Sequence, residues 1–234
     1  MIIVRMGLWA LLCLLFYTAP AMSGEVFTGS QIDNHGQYLG FLGVRAPLLS
    51  ETAAIQPFVQ IMGVGLGYKF FSNGQERKAD VQLASPSIGI KLPQGPWTFI
   101  ALAGPQFRWK QEEQGVRTGR VTRTDVGAYV QSEALYWHEE GTFHAIASYT
   151  DLDHFVWSRL RGTKRVHKSE QGCCTAYVGW DLSGMGSKDF HAVQTGPLLQ
   201  IPIHSVYLTL KAGYQYSQTF HNGAYGGIEV YTPF

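Results

Sequence analysis

The sequence predicts an antiparallel transmembrane β-barrel of about twelve strands behind a cleaved N-terminal export signal. Three observations predict it. An apolar leader ends in small residues, strand-like runs alternate apolar and polar side chains up to aromatic ends, and the chain is poor in charge but rich in glycine and aromatics. Charged residues make up 15% of the 234, against 27 glycines, 12 tyrosines, 13 phenylalanines and 6 tryptophans. A water-facing surface carries more charge than that, whereas a wall that meets lipid carries little. Mean hydropathy of -0.04 excludes a bundle of membrane-spanning helices. With 18 Lys+Arg against 17 Asp+Glu, no basic surplus points to nucleic acid as a partner.

The leader comes first. Met1–Met6 contains Arg5, Gly7–Tyr17 is an apolar core, and Thr18-Ala19-Pro20-Ala21 offers an A-x-A cleavage site. The core is too short to span a bilayer stably. The expected division is a signal peptide over residues 1–21, with cleavage after Ser23 as an alternative, and one barrel domain over 22–234. An uncleaved anchor is the competing reading. Cys13 follows Leu11-Leu12 rather than small residues, so it is not a lipidation site. Past the leader the cysteines are Cys173 and Cys174. Adjacent cysteines pair poorly with each other. Without a C-x-x-C spacing neither a zinc site nor redox chemistry is expected, and no cofactor is implied. The pair reads as a strand entrance with one thiol toward each face.

Extended runs rich in Val, Ile, Tyr, Phe, Trp and Thr follow, broken by Gly, Pro, Asn and Asp. They are Glu25–Asp33, Gln37–Pro47, Gln56–Phe71, Ala79–Lys91, Pro96–Trp109, Thr122–Glu139, Thr142–Asp151, His154–Gly162, Cys174–Ser183, Phe190–Ile201, Ser205–Ser217 and Ala224–Phe234. Alternation gives them two faces. From Ser205 onward Val206, Leu208, Leu210, Ala212, Tyr214 and Tyr216 share one side, and Tyr207, Thr209, Lys211, Gly213, Gln215 and Ser217 the other. Residues 124–136 repeat the pattern, with Val126, Ala128, Val130, Ala134 and Tyr136 opposite Asp125, Tyr129, Gln131 and Glu133. An apolar face ending in aromatics suits lipid, and a polar face suits a wet lumen. The last run alternates through Ile228, Val230, Thr232 and Phe234, as an assembly signal read by the barrel-assembly machinery would.

Pro93-Gln94-Gly95, Glu139-Glu140-Gly141 and Pro202-Ile203-His204 read as short turns of one rim. The longer polar stretches Asn73–Lys78, Gln111–Arg120 and Thr163–Gly172 read as the opposite rim.

Catalytic signatures are sparse. There is no G-x-S-x-G elbow, no phosphate loop and no H-E-x-x-H, so neither a catalytic nor a metal site is expected and the protein reads as a non-enzyme. Gly63-x-Gly65-x-Gly67 lies within a strand, where it gives room or curvature. His204-Ser205 falls in a turn with no carboxylate nearby in sequence. The most suggestive set is Phe155, Trp157, Arg159 and Arg161 at i, i+2 spacing. On a luminal face the rings would stack on sugars and the guanidinium groups would bond hydroxyls or anions. In the alternative reading Phe155 and Trp157 belong to the lipid girdle and the arginines to a rim or an ion pair. Gln131, Glu133, Asp181 and Lys211 are the other luminal candidates, and an ion network is their plainer role.

Short pieces along the chain resemble the cellulose-biosynthesis S proteins (BcsS) of Gram-negative bacteria. They are Phe27-Thr28-Gly29, Tyr38-Leu39-Gly40, Gly67-Tyr68-Lys69-Phe70, the run Asp125–Glu133, the Tyr149…Trp157…Arg159 stretch and Gly213-Tyr214. Gly179-Trp180-Asp181 stands where the family pattern leads one to expect Gly-Pro-Glu. The resemblance implies an outer-membrane protein that accompanies cellulose synthesis, with membrane lipid and possible contact with cellulose or other synthesis proteins. It implies no catalytic residues. The expected role is a conduit, a scaffold or a surface tether. The alternatives are a small-solute channel, a lipid-modifying barrel enzyme and a periplasmic β-sandwich. A barrel of about twelve strands is narrow enough for side chains to fill much of it.

Overall fold

In the computed structural model the strands close into one antiparallel barrel. The structure describes residues 24–49, 53–72, 75–114, 119–168, 175–188, 191–218 and 221–234. The expected signal peptide and the Cys173-Cys174 pair lie outside them. The strands are β1 (Glu25–Asp33), β2 (Tyr38–Pro47), β3 (Gln56–Ser72), β4 (Gln75–Gln94), β5 (Trp97–Gln114) and β6 (Gly119–His138). Then follow β7 (Gly141–Thr150), β8 (Phe155–Lys168), β9 (Thr175–Gly186), β10 (His191–Ile203), β11 (Val206–Ser217) and β12 (Gly223–Pro233). A single helical turn, Leu152–His154, joins β7 to β8. Each strand pairs with its sequence neighbours, and β1 closes on β12 from Glu25 opposite Pro233 to Asp33 opposite Tyr225. Gly24 and Phe234 exchange backbone hydrogen bonds of 2.6 and 2.8 Å at the seam. Closure leaves no edge strand to template aggregation.

Register fixes which side chains face in. Arg45 lies opposite Glu25, and both are shielded within the barrel. Following that parity round the barrel puts Thr209, Lys211 and Gln215 of β11 inside, with Leu208, Leu210, Tyr214 and Tyr216 outside. On β6 it puts Tyr129, Gln131 and Glu133 inside, with Val126, Val130 and Tyr136 outside. Both alternations read from the sequence therefore run in the expected direction. Leu210, Val126 and Val130 are exposed, as a wall without bound lipid must be, whereas Gln60, Ser85 and Asp181 are fully buried. Near the termini the outer wall carries Trp97 against Phe99, Tyr136 and Phe143, with ring centroids 5.0–6.3 Å apart. Such aromatics belong at a lipid–water interface, where an amphipathic ring satisfies both sides. Outward Trp180 donates from Nε1 to Thr195 Oγ1 at 2.7 Å, which satisfies two polar groups in the apolar wall.

The two rims differ. The termini, the 95–96, 139–140 and 204–205 turns, the end of β8 and the start of β9 share one rim, here the terminal rim. The other is the far rim. Of the Thr163–Gly172 stretch, expected opposite the short turns, Thr163–Lys168 is strand running toward them, and residues 169–172 lie outside the described residues. Lys164 pairs with Gly141, immediately after a terminal-rim turn, and β8 runs on to Lys168. Strand parity overrides polarity here. Gln75–Lys78, Gln111–Gln114 and Arg120 are likewise strand and not loop. With 17 to 20 residues, β3 to β6 outreach β2 and project past the far rim. Gly67 presents no side chain outward there, and a Cβ would come within 2.2 Å of the Tyr38 ring. That space lets the Tyr38 hydroxyl donate to Asp80 Oδ1 at 3.0 Å.

Candidate functional site

The lumen is where the polar residues converge. Arg45, from β2, is a lone charge in the apolar run Tyr38–Pro47. It reaches Glu133 on β6 at 2.6 Å, Glu25 on β1 at 3.1 Å and Gln60 Oε1 on β3 at 2.8 and 3.1 Å. Its guanidinium also sits 4.8 Å from the Phe58 ring centroid, a cation–π contact. Lys91 pairs with Glu25 at 2.8 Å. Strands β2 and β6 are not neighbours in the barrel, so the Arg45–Glu133 bond crosses the lumen.

Glu133 continues the chain of contacts. It accepts from Gln131 Nε2 at 2.8 Å and meets His144 Nε2 at 3.1 Å. His144 Nδ1 lies 3.5 Å from Arg159, and Arg159 faces Glu229 on β12 at 3.5 Å. Glu229 is shared by three cations, for Arg161 pairs with it at 2.8 Å and Lys211 at 2.9 Å. Arg161 also pairs with Asp181 at 2.6 Å. Strands β8 and β12 are not adjacent either, so a second bridge crosses the barrel. Charges held this far from water persist only when paired, and here each carboxylate has cationic partners.

All eight luminal candidates carry the inward parity: Gln131, Glu133, Phe155, Trp157, Arg159, Arg161, Asp181 and Lys211. Six of them join the network. Trp157 packs against it through Arg159, whose guanidinium lies 5.7 Å from its ring. The girdle reading of Phe155 and Trp157 is therefore corrected, since both face in. Outward Ile228, Val230 and Phe234 sit on the closing strand and at its end, as read from alternation. His204 takes a left-handed backbone (φ 57°) in the β10–β11 turn.

Sequence reasoning missed Arg45, Glu25, Lys91, His144 and Glu229. The signal was present for two of them. Glu229 interrupts Ile228 and Val230, and Arg45 follows Val44, so each is a charge on the face opposite an apolar alternation. Among the described residues no group of three or more His, Cys, Asp or Glu converges as a metal-ligand set. Chemically the arrangement is a brace that ties opposite walls together.

The comparisons with known proteins agree with this architecture. The crystal structure of the β-domain of the Bordetella autotransporter BrkA is similar over 91% of this chain and 98% of that one, with 11% identity and a TM-score of 0.50. The transport unit of the Escherichia coli autotransporter AIDA-I is similar over 93% and 92%, with 10% identity and a TM-score of 0.50. These likenesses establish the barrel fold. No curated protein is significantly similar to the chain. One family model, described as cellulose biosynthesis protein BcsS, matches residues 25–234.

Proposed function

This chain belongs to the cellulose biosynthesis protein BcsS family, and on that premise we propose that it is a closed, non-enzymatic outer-membrane barrel that serves cellulose production as a membrane-fixed scaffold. The observation that carries the reading is the pair of bridges across the lumen, Arg45–Glu133 and Arg161–Glu229. A hydrated glucan or a solute stream would have to part or skirt these bridges, and parting one takes an ion pair from side chains almost shielded from water. A scaffold needs no passage. It needs a rigid body with a lipid-compatible wall and rims that partners can reach. The terminal rim, with its short turns, faces the periplasm in this reading, and the projecting β3–β6 wall faces out. The outward Ile228, Val230 and Phe234 suit recognition by the assembly machinery. Membrane lipid and other cellulose-synthesis proteins are the partners.

Deletion of the gene tests the pathway, and conductance tests the closed lumen. Deletion lowers secreted cellulose while synthase activity in isolated inner membranes persists. The purified barrel in a planar bilayer gives no steady current. Unchanged cellulose in the deletion strain would refute the pathway role, and stepwise conductance of the native barrel would replace the scaffold with a channel.

A further inference from the structure

The network above leaves a group of aromatics at the terminal mouth without a role. Trp137, next to last in β6, has the inward parity of Glu133, yet it is 41% exposed. Its indole meets Tyr207 of β11 edge-on, with centroids 5.1 Å apart at 83°. Strands β6 and β11 are not neighbours, so the contact spans the mouth. Tyr207 lies 6.0 Å from Tyr231 of β12, and the Tyr177 hydroxyl donates to the Glu139 carbonyl at 3.4 Å. The lipid girdle at this rim already occupies the outer face, in Trp97, Phe99, Tyr136 and Phe143. Inward rings at the same rim do not touch lipid.

Charge beside these rings is mixed, and the cations are paired. Lys91 pairs with Glu25 at 2.8 Å, and Arg165 pairs with Glu139 and Glu140. A mouth whose cations already hold carboxylate partners offers an anionic chain no ready ion pair. A pyranose ring has apolar C–H faces and an equatorial belt of hydroxyls. An exposed indole flanked by phenols and paired charges offers a stacking plane and hydrogen-bond partners for such a ring. The 2.6 Å Arg45–Glu133 bridge lies deeper in the same lumen, so a chain held at the mouth docks and does not enter.

We propose that the terminal mouth is a glycan-binding shelf, with Trp137 as the stacking plane and Tyr207 and Tyr231 beside it, that grips a single neutral glucan chain. This deepens the scaffold reading and rests on the family assignment for the identity of the glucan. The full barrel, folded in an amine-oxide detergent that carries no sugar, is titrated calorimetrically with cellohexaose and separately with maltohexaose. Cellohexaose binds, and Trp137→Ala weakens it about tenfold or more, as truncating an anchoring aromatic does. Trp137→Phe, which keeps a ring, retains most of the affinity. Heat-modifiable migration verifies that each variant is folded. No heat with cellohexaose, equal affinity for maltohexaose, or binding indifferent to Trp137→Ala overturns the shelf. The deletion strain separates the two ideas. If the deletion lowers cellulose and Trp137→Ala restores it fully, the shelf falls and the scaffold stands. If cellohexaose binds through Trp137 but the deletion leaves cellulose unchanged, the scaffold's pathway role falls and the shelf stands.

Discussion

Arg45 and Arg108 are each bracketed by two carboxylates, Arg45 by Glu25 and Glu133, Arg108 by Asp125 and Asp153. Their distances are alike, at 3.1 and 2.6 Å against 2.7 and 2.5 Å. Their settings are not. The Arg45–Glu133 bond joins walls that are not adjacent, and both side chains are almost shielded from water. The Arg108 bonds join β5 to neighbouring β6 and to the Leu152–His154 turn, and the Asp153 side chain is 57% exposed. Near the rim water screens the pair and would hydrate either partner if the other left. Inside the lumen no such rescue exists. Equal geometry therefore predicts unequal consequences, and the mid-lumen network is the part of the molecule that resists opening.

The largest effect follows from Glu229, which three cations share. Glu229→Ala leaves Arg159, Arg161 and Lys211 with Asp181 as their remaining close carboxylate. The variant loses about 3–5 kcal/mol of stability, the usual cost of an uncompensated buried charge. Urea unfolding followed by heat-modifiable migration measures it. A loss no greater than that of an exposed pair would erase the contrast drawn above. Glu133→Ala removes one of two carboxylates from Arg45, and Glu25 remains. It loses about 2 kcal/mol, in keeping with a lost hydrogen bond to a charged group. It also opens the β2–β6 bridge, so bilayer recordings of this variant show current where the native barrel shows none.

The strands of this network were legible from sequence, and its connections were not. Period-two alternation alone put Gln131, Glu133 and Lys211 on the inner face, because the side-chain period of a strand is fixed. Arg45 and Glu229 carried the same parity, but each is a single charge in an apolar run. Their importance comes from partners across the lumen, and no local spacing encodes a contact between β2 and β6 or between β8 and β12. The misplaced Thr163–Lys168 part of the predicted loop has the converse origin. Its polarity suggested a far-rim loop, while counting strands from β1 would have returned β8 to the terminal rim.

At the far rim, backbone anchoring outweighs the ion pair. Asp151 Oδ1 accepts from the Ala128 backbone N–H at 2.8 Å and so pins the turn. The carboxylate fits because residue 127 is glycine. A Cβ there would lie 2.0 Å from that oxygen and 2.6 Å from Leu152. Gly127→Ala therefore displaces the turn and lowers stability by about 1–2 kcal/mol, as overpacking does. An unchanged unfolding midpoint would mean that the turn adapts freely.

The smallest effect belongs to Asp153, and it isolates the charge. Asp153 holds a left-handed backbone (φ 60°) beside His154 (φ 50°). Asparagine tolerates that conformation about as well as aspartate does, so Asp153→Asn removes the charge without new strain. The hydrogen bond from Arg108 holds the Asp153 carboxyl below the usual carboxylate range. A carboxyl depressed on folding stabilises the protein above its unfolded pKa, near 3.9, and that contribution fades as pH falls through the lower folded value. Native barrel and Asp153→Asn should thus differ by less than about 1 kcal/mol at neutral pH and converge in strong acid. Added salt shrinks the difference at neutral pH, since the pair is exposed enough to be screened. A gap as wide as that of Glu133→Ala, or one indifferent to salt, would make the rim pair equivalent to the luminal one and remove burial as the deciding variable.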